Sequence, residues 1–314
     1  MIKTRVIIGS RGSELALWQA NFVKKELEKN NKLVSVEIRI IKTKGDKILD
    51  VALSKIGDKS LFTKELEIEL LNKSIDIAVH SLKDLQTKIP DGLVLGAVSK
   101  RHAVEDVLIA RKKGTTIHNI RDNAVIATGS LRRRSQLLHL RPDIKIEEIR
   151  GNVPSRIEKF FKSKWDGIIL ARAGIERLKL QKFISSVIEK EDIVPAVSQG
   201  ALGIEVHKDN KFVLEILKSF HDADTYSAVI AERELLRTLE GGCQVPIGAF
   251  AEVNPNGLYL DAYVGTVDGS LAFRSKLKGS KFNPEKLGNK LAKELIKAGA
   301  KEILDDIYKN MRNK

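Results

Sequence analysis

Two rhythms of apolar residues alternate along the chain. Short, continuous or alternating apolar runs at Arg5–Ile8, Val34–Thr43, Ile75–Val79, Val125–Thr128, Ile146–Ile149 and Gly167–Ala171 predict strands. In Val34–Thr43 the side chains of Val36, Ile38 and Ile40 share one face. Between these runs, apolar residues recur three and four apart, as in Leu15, Trp18 and Phe22, and this spacing predicts helices after Ser13, over Leu61–Leu71 and over Leu131–Leu140. Ser13 is placed to cap the first of them, and Pro154 suits the first turn of a further helix.

The sequence strand, polar turn, helix occurs first around SRGS (10–13) and again around Gly129 and Ser130. Alternation of this kind predicts a mostly parallel sheet with helices on both faces, and ligands of such sheets bind beyond the carboxyl ends of the strands. The expected fold is α/β: two similar doubly wound domains facing a cleft, followed by a small α+β domain. The first domain takes 1–99 with 200–220, the second takes 100–199, and the chain crosses between them near residue 100 and within Ile193–Ile204. Residues 221–314 form the third, with a long helix from Asp224 to Glu240, strands near Ala249–Val253, Leu258–Val264 and Ser270–Lys276, and a helical region from Pro284. The stretch 42–60 is basic, punctuated by glycine and without apolar periodicity, and it reads as a mobile lid loop.

Composition narrows the function classes. The longest charge-free run, Ile193–Ile204, is shorter than the roughly 18 residues that a membrane span requires. The apolar run near the start is too short for a secretory signal, so a cytoplasmic location without a membrane partner is expected. With 55 Lys and Arg against 41 Asp and Glu, the net charge of +14 calls for an anionic ligand. Aromatic residues make up only 5%, there is no basic tail, and no RNA-recognition or zinc-finger motif occurs, which argues against nucleic acid. GxGxxG and GxxxxGK[ST] are also absent, which argues against a nucleotide. Cys243 is the only cysteine and no two of the six histidines stand four apart, so no metal site is expected.

Polar residues gather where strands end. His80–Asp84 follows one predicted strand, and Arg11, Lys83, Arg132, Arg133, Arg150 and Arg156 occupy similar ends or the turns after them. Arg132 and Arg133 lie in the first turn of a helix, where the helix dipole opposes cations unless an anion is close, so they read as carboxylate or phosphate ligands. Arg134 reads as a solvated residue. Asp84 is open to two readings, a surface ion pair with Lys83 or a carboxylate that stabilises positive charge developing on a ligand. At 4 Å and an effective dielectric near 20, the second contact is on the order of 4 kcal/mol before desolvation. Cys243, in GGCQVP, is likewise either an inert thiol or one used covalently.

Eight segments in order carry a family resemblance: RGSELALWQA (11–20), KGDKILD (44–50), LFTKELE (61–67), DIAVHSLKDL (76–85), SLRRRSQL (130–137), RGNVPSRIEK (150–159), PAVSQGALGIE (195–205) and LEGGCQVPIGAFAE (239–252). Across essentially its whole length the chain resembles the porphobilinogen deaminases, or hydroxymethylbilane synthases. The resemblance implies a transferase of tetrapyrrole (haem, chlorophyll, sirohaem) biosynthesis that deaminates four porphobilinogen molecules and joins them into hydroxymethylbilane, releasing ammonia. It implies a dipyrromethane cofactor attached to Cys243 through a thioether, which primes chain growth. It assigns catalysis to Asp84, Lys83 and Arg11. Contacts to the cofactor fall to Ser13, Lys83, Asp84, Thr128, Ser130, Arg132, Arg133 and Gln199. Contacts to substrate or growing chain fall to Arg11, Gln19, Ser81, Arg150, Arg156 and Arg177, and Lys55, Lys59 and Phe62 belong to the lid loop. A monomer is implied. The chain departs from the family pattern at Gln86, where Pro is usual, at Gly129, where a second Ser is common, and at Asp58 and Pro154, where Gly is frequent.

Two other classes fit parts of this reading. A cleft between two α/β domains is also the architecture of periplasmic binding proteins, but the expected third domain and the missing signal sequence count against one. A sequence-independent RNA binder is supported by net charge alone.

Overall fold

The computed structural model of the protein describes residues 3–43, 45, 63–240 and 245–312. The predicted lid residues Lys55, Lys59 and Phe62, the departure at Asp58, and Cys243 lie outside the described residues. The chain divides into two compact units. One takes the described residues within 1–49, 58–102 and 200–226, and the other takes those within 103–199 and 227–314.

The first unit is built on a five-stranded sheet. Its elements in chain order are β1 (Thr4–Ser10), α1 (Glu14–Asn30), β2 (Val34–Ile40), α2 (Lys64–Leu71), β3 (Ile77–Ser81), a single 3-10 turn over Leu82–Asp84, β4 (Leu93–Val98), β10 (Leu202–His207) and α6 (Lys211–Leu217). The strand order is β2-β1-β3-β10-β4. Alternate side chains of β1 and β3 supply two cores. Val6, Ile8, Ile77 and Val79 pack with Ala20, Val23 and Leu27 of α1 and with Val213 and Leu217 of α6. Ile7 and Ala78 face the other way, toward Leu66 and Leu70 of α2. Both faces of the sheet are therefore covered, as doubly wound architecture requires. Ser13 caps α1 by accepting a hydrogen bond from the Ala16 N–H at 3.3 Å. In β2 the alternation holds for buried Val34 and Val36, but Ile40 at the strand end is 57% exposed.

The second unit repeats this plan with β5 (Asp106–Ala110), β6 (Val125–Ala127), α3 (Leu131–Leu140), β7 (Lys145–Glu147), α4 (Val153–Lys162), β8 (Gly167–Ala171), α5 (Arg172–Arg177) and β9 (Ser186–Ile188), in the strand order β7-β6-β8-β5-β9. Leu108, Ile126 and Ile169 pack with Leu137 of α3 on one face. Val107, Ile109, Ala127, Ile168 and Leu170 pack with Ile157 and Phe160 of α4 on the other. The same unit carries an antiparallel meander of β11 (Ile247–Asn254), β12 (Gly257–Gly265) and β13 (Ala272–Gly279). This packs on α8 (Pro284–Leu295), α9 (Lys301–Arg312) and the part of α7 (Ala223–Thr238) beyond residue 226.

The expectation of mostly parallel sheets needs one correction. β1 runs parallel to β2 and β3, and β6 runs parallel to β7 and β8, but β10 is antiparallel to both of its neighbours and so is β5. The reason is topological. β5 is the first strand after the chain leaves the first unit, and β10 is the first after it returns. Neither arrives through a crossover helix of its own sheet, and only that kind of connection enforces the parallel direction.

Gly288 sets how closely α8 lies on α7. A Cβ at this position would meet the Ala231 carbonyl oxygen and would come within 2.9 Å of the Leu235 nitrogen. Alanine gains about 1 kcal/mol of helix propensity over glycine, whereas overpacking against a backbone that cannot swing aside costs about 1–3 kcal/mol. Gly288→Ala is therefore expected to lower the thermal midpoint by a few degrees. A midpoint at or above that of the unsubstituted protein would mean that the helices separate without cost.

Candidate active site

In the first unit the predicted residues meet at the carboxyl edge of two adjacent parallel strands. β1 runs out into Ser10 and Arg11, and β3 into Ser81 and the turn Leu82–Asp84. Gln19 of α1 donates a hydrogen bond to the Ser81 hydroxyl at 2.7 Å, which joins two residues assigned to substrate contact. Fully buried Leu82 pins the turn, and its N–H donates to the Ala201 carbonyl at 3.0 Å. Lys83 is half-buried and Asp84 is exposed. No hydrogen bond or ion pair reaches the Asp84 carboxylate among the described residues, so of its two readings the ion pair with Lys83 is not formed there.

Behind this turn lies a group that the sequence reading did not single out. His80 Nε2 stands 3.2 Å from Glu205 Oε2, and both side chains are almost completely buried. Glu205 lies opposite Ala78 in the β3–β10 ladder, and Ala78 packs against Leu66 and Leu70 of α2, the helix that also carries Glu67. Burial pushes the Glu67 carboxyl above its ordinary range. The Glu205 charge adds to the rise, and His80 opposes it.

In the second unit three predicted cofactor contacts converge on one carboxylate. Asp106 Oδ2 accepts from Arg132 Nη2 at 2.6 Å, and Asp106 Oδ1 accepts from Arg133 Nη2 at 2.7 Å and from Gln199 Nε2 at 3.0 Å. Backbone carbonyls take further donors: Val194 from Arg132 Nη1 at 2.8 Å, Ile169 from Arg133 Nη1 at 3.0 Å, and Val104 from Gln199 Nε2 at 2.7 Å. Asp106 is 1% exposed, Arg132 4% and Arg133 6%, so the whole cluster is dry. Burial alone would raise the Asp106 pKa, yet the two guanidinium groups outweigh it and hold the carboxyl far below the usual carboxylate range. Arg132 is pushed down by burial and by the charge of Arg133, while Asp106 opposes the shift. The Nε atoms of both arginines are buried and have no partner among the described residues.

The anion that the first-turn arginines require is therefore internal in part. Asp106 was missed because an acid opening the apolar strand DVLIA looks like a strand boundary. Its signal was the mismatch between that charge and the four apolar residues after it. Arg134 is exposed, in line with its reading as solvated. Ser130 caps α3 by accepting from the Arg133 N–H, and its own N–H donates to the Thr128 hydroxyl at 3.3 Å. A Cβ on Gly129 would lie 2.7 Å from the Ile149 carbonyl oxygen, so a serine there would require this backbone approach to open. In RGNVPSR, Asn152 caps α4 and Pro154 sits in its first turn. Arg156 Nε donates to the Gly151 carbonyl at 2.8 Å, and half-buried Arg150 has a buried Nη1 without a partner among the described residues. Arg177 is buried and pushed down to about 10 by desolvation. The described residues contain no group of three or more His, Cys, Asp or Glu able to hold a metal.

Comparison with known proteins gives two family matches. Residues 6–215 match the family model described as "Porphobilinogen deaminase, dipyromethane cofactor binding domain", and residues 226–297 match "Porphobilinogen deaminase, C-terminal domain". The chain is 48% identical over 306 residues to the porphobilinogen deaminase of Desulforamulus reducens, covering 98% of this chain and 99% of that one. It is also 48% identical over 309 residues to that of Carboxydothermus hydrogenoformans, again covering 98% and 99%. Among solved structures, the methionine binding protein MetQ is similar at 14% identity and a TM-score of 0.43, over 73% of this chain and 93% of its own.

Glu67 gives a test of the buried acid group. Below about pH 4 its carboxyl is protonated both in the fold and in the unfolded chain. As the pH rises through the unfolded value toward the raised folded value, only the unfolded chain ionises, so stability falls across that window. Glu67→Gln is expected to match the unsubstituted protein in denaturant midpoint near pH 3.5 and to exceed it near neutrality. The same difference at both pH values would mean that Glu67 is not the titrating group.

Proposed function

We infer the work of each site residue from one premise: this chain belongs to the porphobilinogen deaminase family. It is an enzyme of tetrapyrrole biosynthesis that deaminates porphobilinogen and joins four units into hydroxymethylbilane, with release of ammonia. Its cofactor is dipyrromethane. When bound, the cofactor supplies the pyrrole carbon from which the chain grows, and a covalent tether keeps that nucleophile at the reaction centre, which makes each addition effectively intramolecular. We assign the tether to Cys243.

The chemistry of the donor set fits such a ligand. Acetate and propionate groups need fixed cationic donors in a dry site, and the buried Nε–H groups of Arg132 and Arg133, without a partner among the described residues, are donors of that kind. In this reading Arg132 and Arg133 hold carboxylates of the cofactor, and Ser13, Lys83, Thr128, Ser130 and Gln199 are assigned further contacts to it. Arg11, Gln19, Ser81, Arg150, Arg156 and Arg177 receive the side-chain carboxylates and ring of incoming substrate. Lys55, Lys59 and Phe62 serve the lid.

Asp84 carries the chemistry. Porphobilinogen becomes cationic as ammonia leaves, and a fixed carboxylate placed where positive charge develops lowers that barrier. Asp84 can also hold the proton released when the ring regains aromaticity, and Lys83 and Arg11 share the catalytic assignment with it. The supporting observation is its exposed carboxylate, on the turn that ends β3, with no internal partner among the described residues. An ion-paired aspartate would have to break its pair first.

We further propose three working domains, 1–99 with 200–220, 100–199, and 221–314 carrying the cofactor cysteine, in a cytoplasmic monomer with neither nucleic-acid nor membrane partners. No described helix is long and apolar enough to cross a membrane.

Intact mass before and after incubation with porphobilinogen tests the assignment. The expected result is a protein heavier than its sequence by one dipyrromethane, with a ladder of single-pyrrole increments on incubation. Cys243→Ala is expected to lose the added mass and turnover together. Asp84→Ala is expected to keep the added mass and the melting temperature but lose nearly all ammonia release. Normal steady-state turnover by Cys243→Ala would sink the mechanism.

A further inference from the structure

We infer that Asp106 is the positioning residue of the cofactor cradle: by engaging Arg132, Arg133 and Gln199 at once, it fixes all three side chains and leaves the two Nε–H donors for carboxylates of the ligand. The inference rests on the assignment of these three residues to the cofactor in the preceding subsection.

Geometry carries the first part. Each arginine is held at two points, by Asp106 through one terminal nitrogen and by a backbone carbonyl through the other. Two anchors stop rotation of the planar group about its long axis. Gln199 is held in the same way, its amide nitrogen shared between Asp106 and the Val104 carbonyl. Three long side chains, two from the first turn of α3 and one from the segment before β10, thus lose their freedom before any ligand arrives, which is how a preorganised site avoids the entropic cost of ordering them later.

Charge and leftover donors carry the second part. Two guanidinium groups share one carboxylate, so the dry cluster keeps one uncompensated positive charge. A second internal carboxylate would neutralise it and remove its pull on anions. With none, two like charges would be buried side by side in the first turn of α3, against the helix dipole. An ion cluster serving stability alone would be expected to use up its donors. Here Arg132 Nε and Arg133 Nε are buried and unpartnered among the described residues. The terminal nitrogen beside each Nε is the Nη2 that Asp106 engages, so each Nε–H is the one donor that the cluster leaves over.

The test compares cofactor loading with stability. Asp106→Asn keeps the shape and removes the charge, and Asp106→Glu keeps the charge but moves it by one methylene. Ile126→Ala, in the core of the same sheet, lowers stability without touching the cluster. The readouts are the intact mass of each purified protein, the rate at which unloaded chains gain mass on incubation with porphobilinogen, and the melting temperature. Asp106→Asn is expected to load roughly ten- to a hundredfold more slowly, Asp106→Glu to fall between it and the unsubstituted protein, and Ile126→Ala to melt earlier yet load normally. Unchanged loading of Asp106→Asn would overturn the inference, as would slow loading of Ile126→Ala in proportion to its lost stability. If Asp106→Asn does not fold, Asp106→Glu decides: slowed loading supports the positioning role and unchanged loading overturns it. An unsubstituted protein that neither carries nor gains the added mass would instead count against the cofactor assignment itself.

Discussion

Two guanidinium groups and one carboxylate, sealed from water, form the constraint around which the second unit is arranged. Removing one partner from such a buried cluster costs about 3–5 kcal/mol, a large share of the stability of a typical domain. Neighbouring contacts preserve its geometry. Val194 accepts from both Arg132 and Gln136, and Gln136 in turn accepts from the Val194 N–H at 2.7 Å. One helical turn carries Arg132, Arg133, Ser135 and Gln136, all buried, and Ser135 meets the Tyr263 hydroxyl of β12 at 2.9 Å. Helix α3 therefore buries a polar face, and nearly every group on that face has a partner fixed by another segment. The exceptions are the Nε–H groups of Arg132 and Arg133, which have no partner among the described residues.

Much of the fold was legible because its signals are local. The cap at Ser13, the first-turn proline of α4, and the apolar strands 167–171 and 258–264 are decided by residues within a few positions of one another. Strand direction was not legible. Whether β5 and β10 run with or against their neighbours depends on where a distant part of the chain enters the sheet. The same division holds in the site. The turn at His80–Asp84 and the arginines at 132 and 133 declared themselves by position at strand and helix ends. Asp106 and Glu205 did not, because each is one acid within an apolar strand, and its partners lie 26 and 125 residues away, at Arg132 and His80 respectively.

The two aspartates show how environment divides labour between identical side chains. Asp106 has traded all contact with water for fixed partners, so its charge serves geometry. Asp84 stands on a turn, exposed and without an internal partner among the described residues, so its charge remains available to a reacting molecule. Exchanging their settings would spoil both, since a buried carboxylate without cations would take up a proton, and an exposed one tied to two arginines would have nothing left to offer.

The strand order also bears on synthesis. β10 lies between β3 and β4, so the first sheet lacks an interior strand until residues 202–207 have left the ribosome. The second sheet uses only residues from 106 to 188 and can close earlier. The unit that begins the polypeptide is therefore the later of the two sheets to be completed. Until then the edges of β3 and β4 that await β10 expose unpaired backbone groups, the kind of surface that nascent-chain chaperones shield.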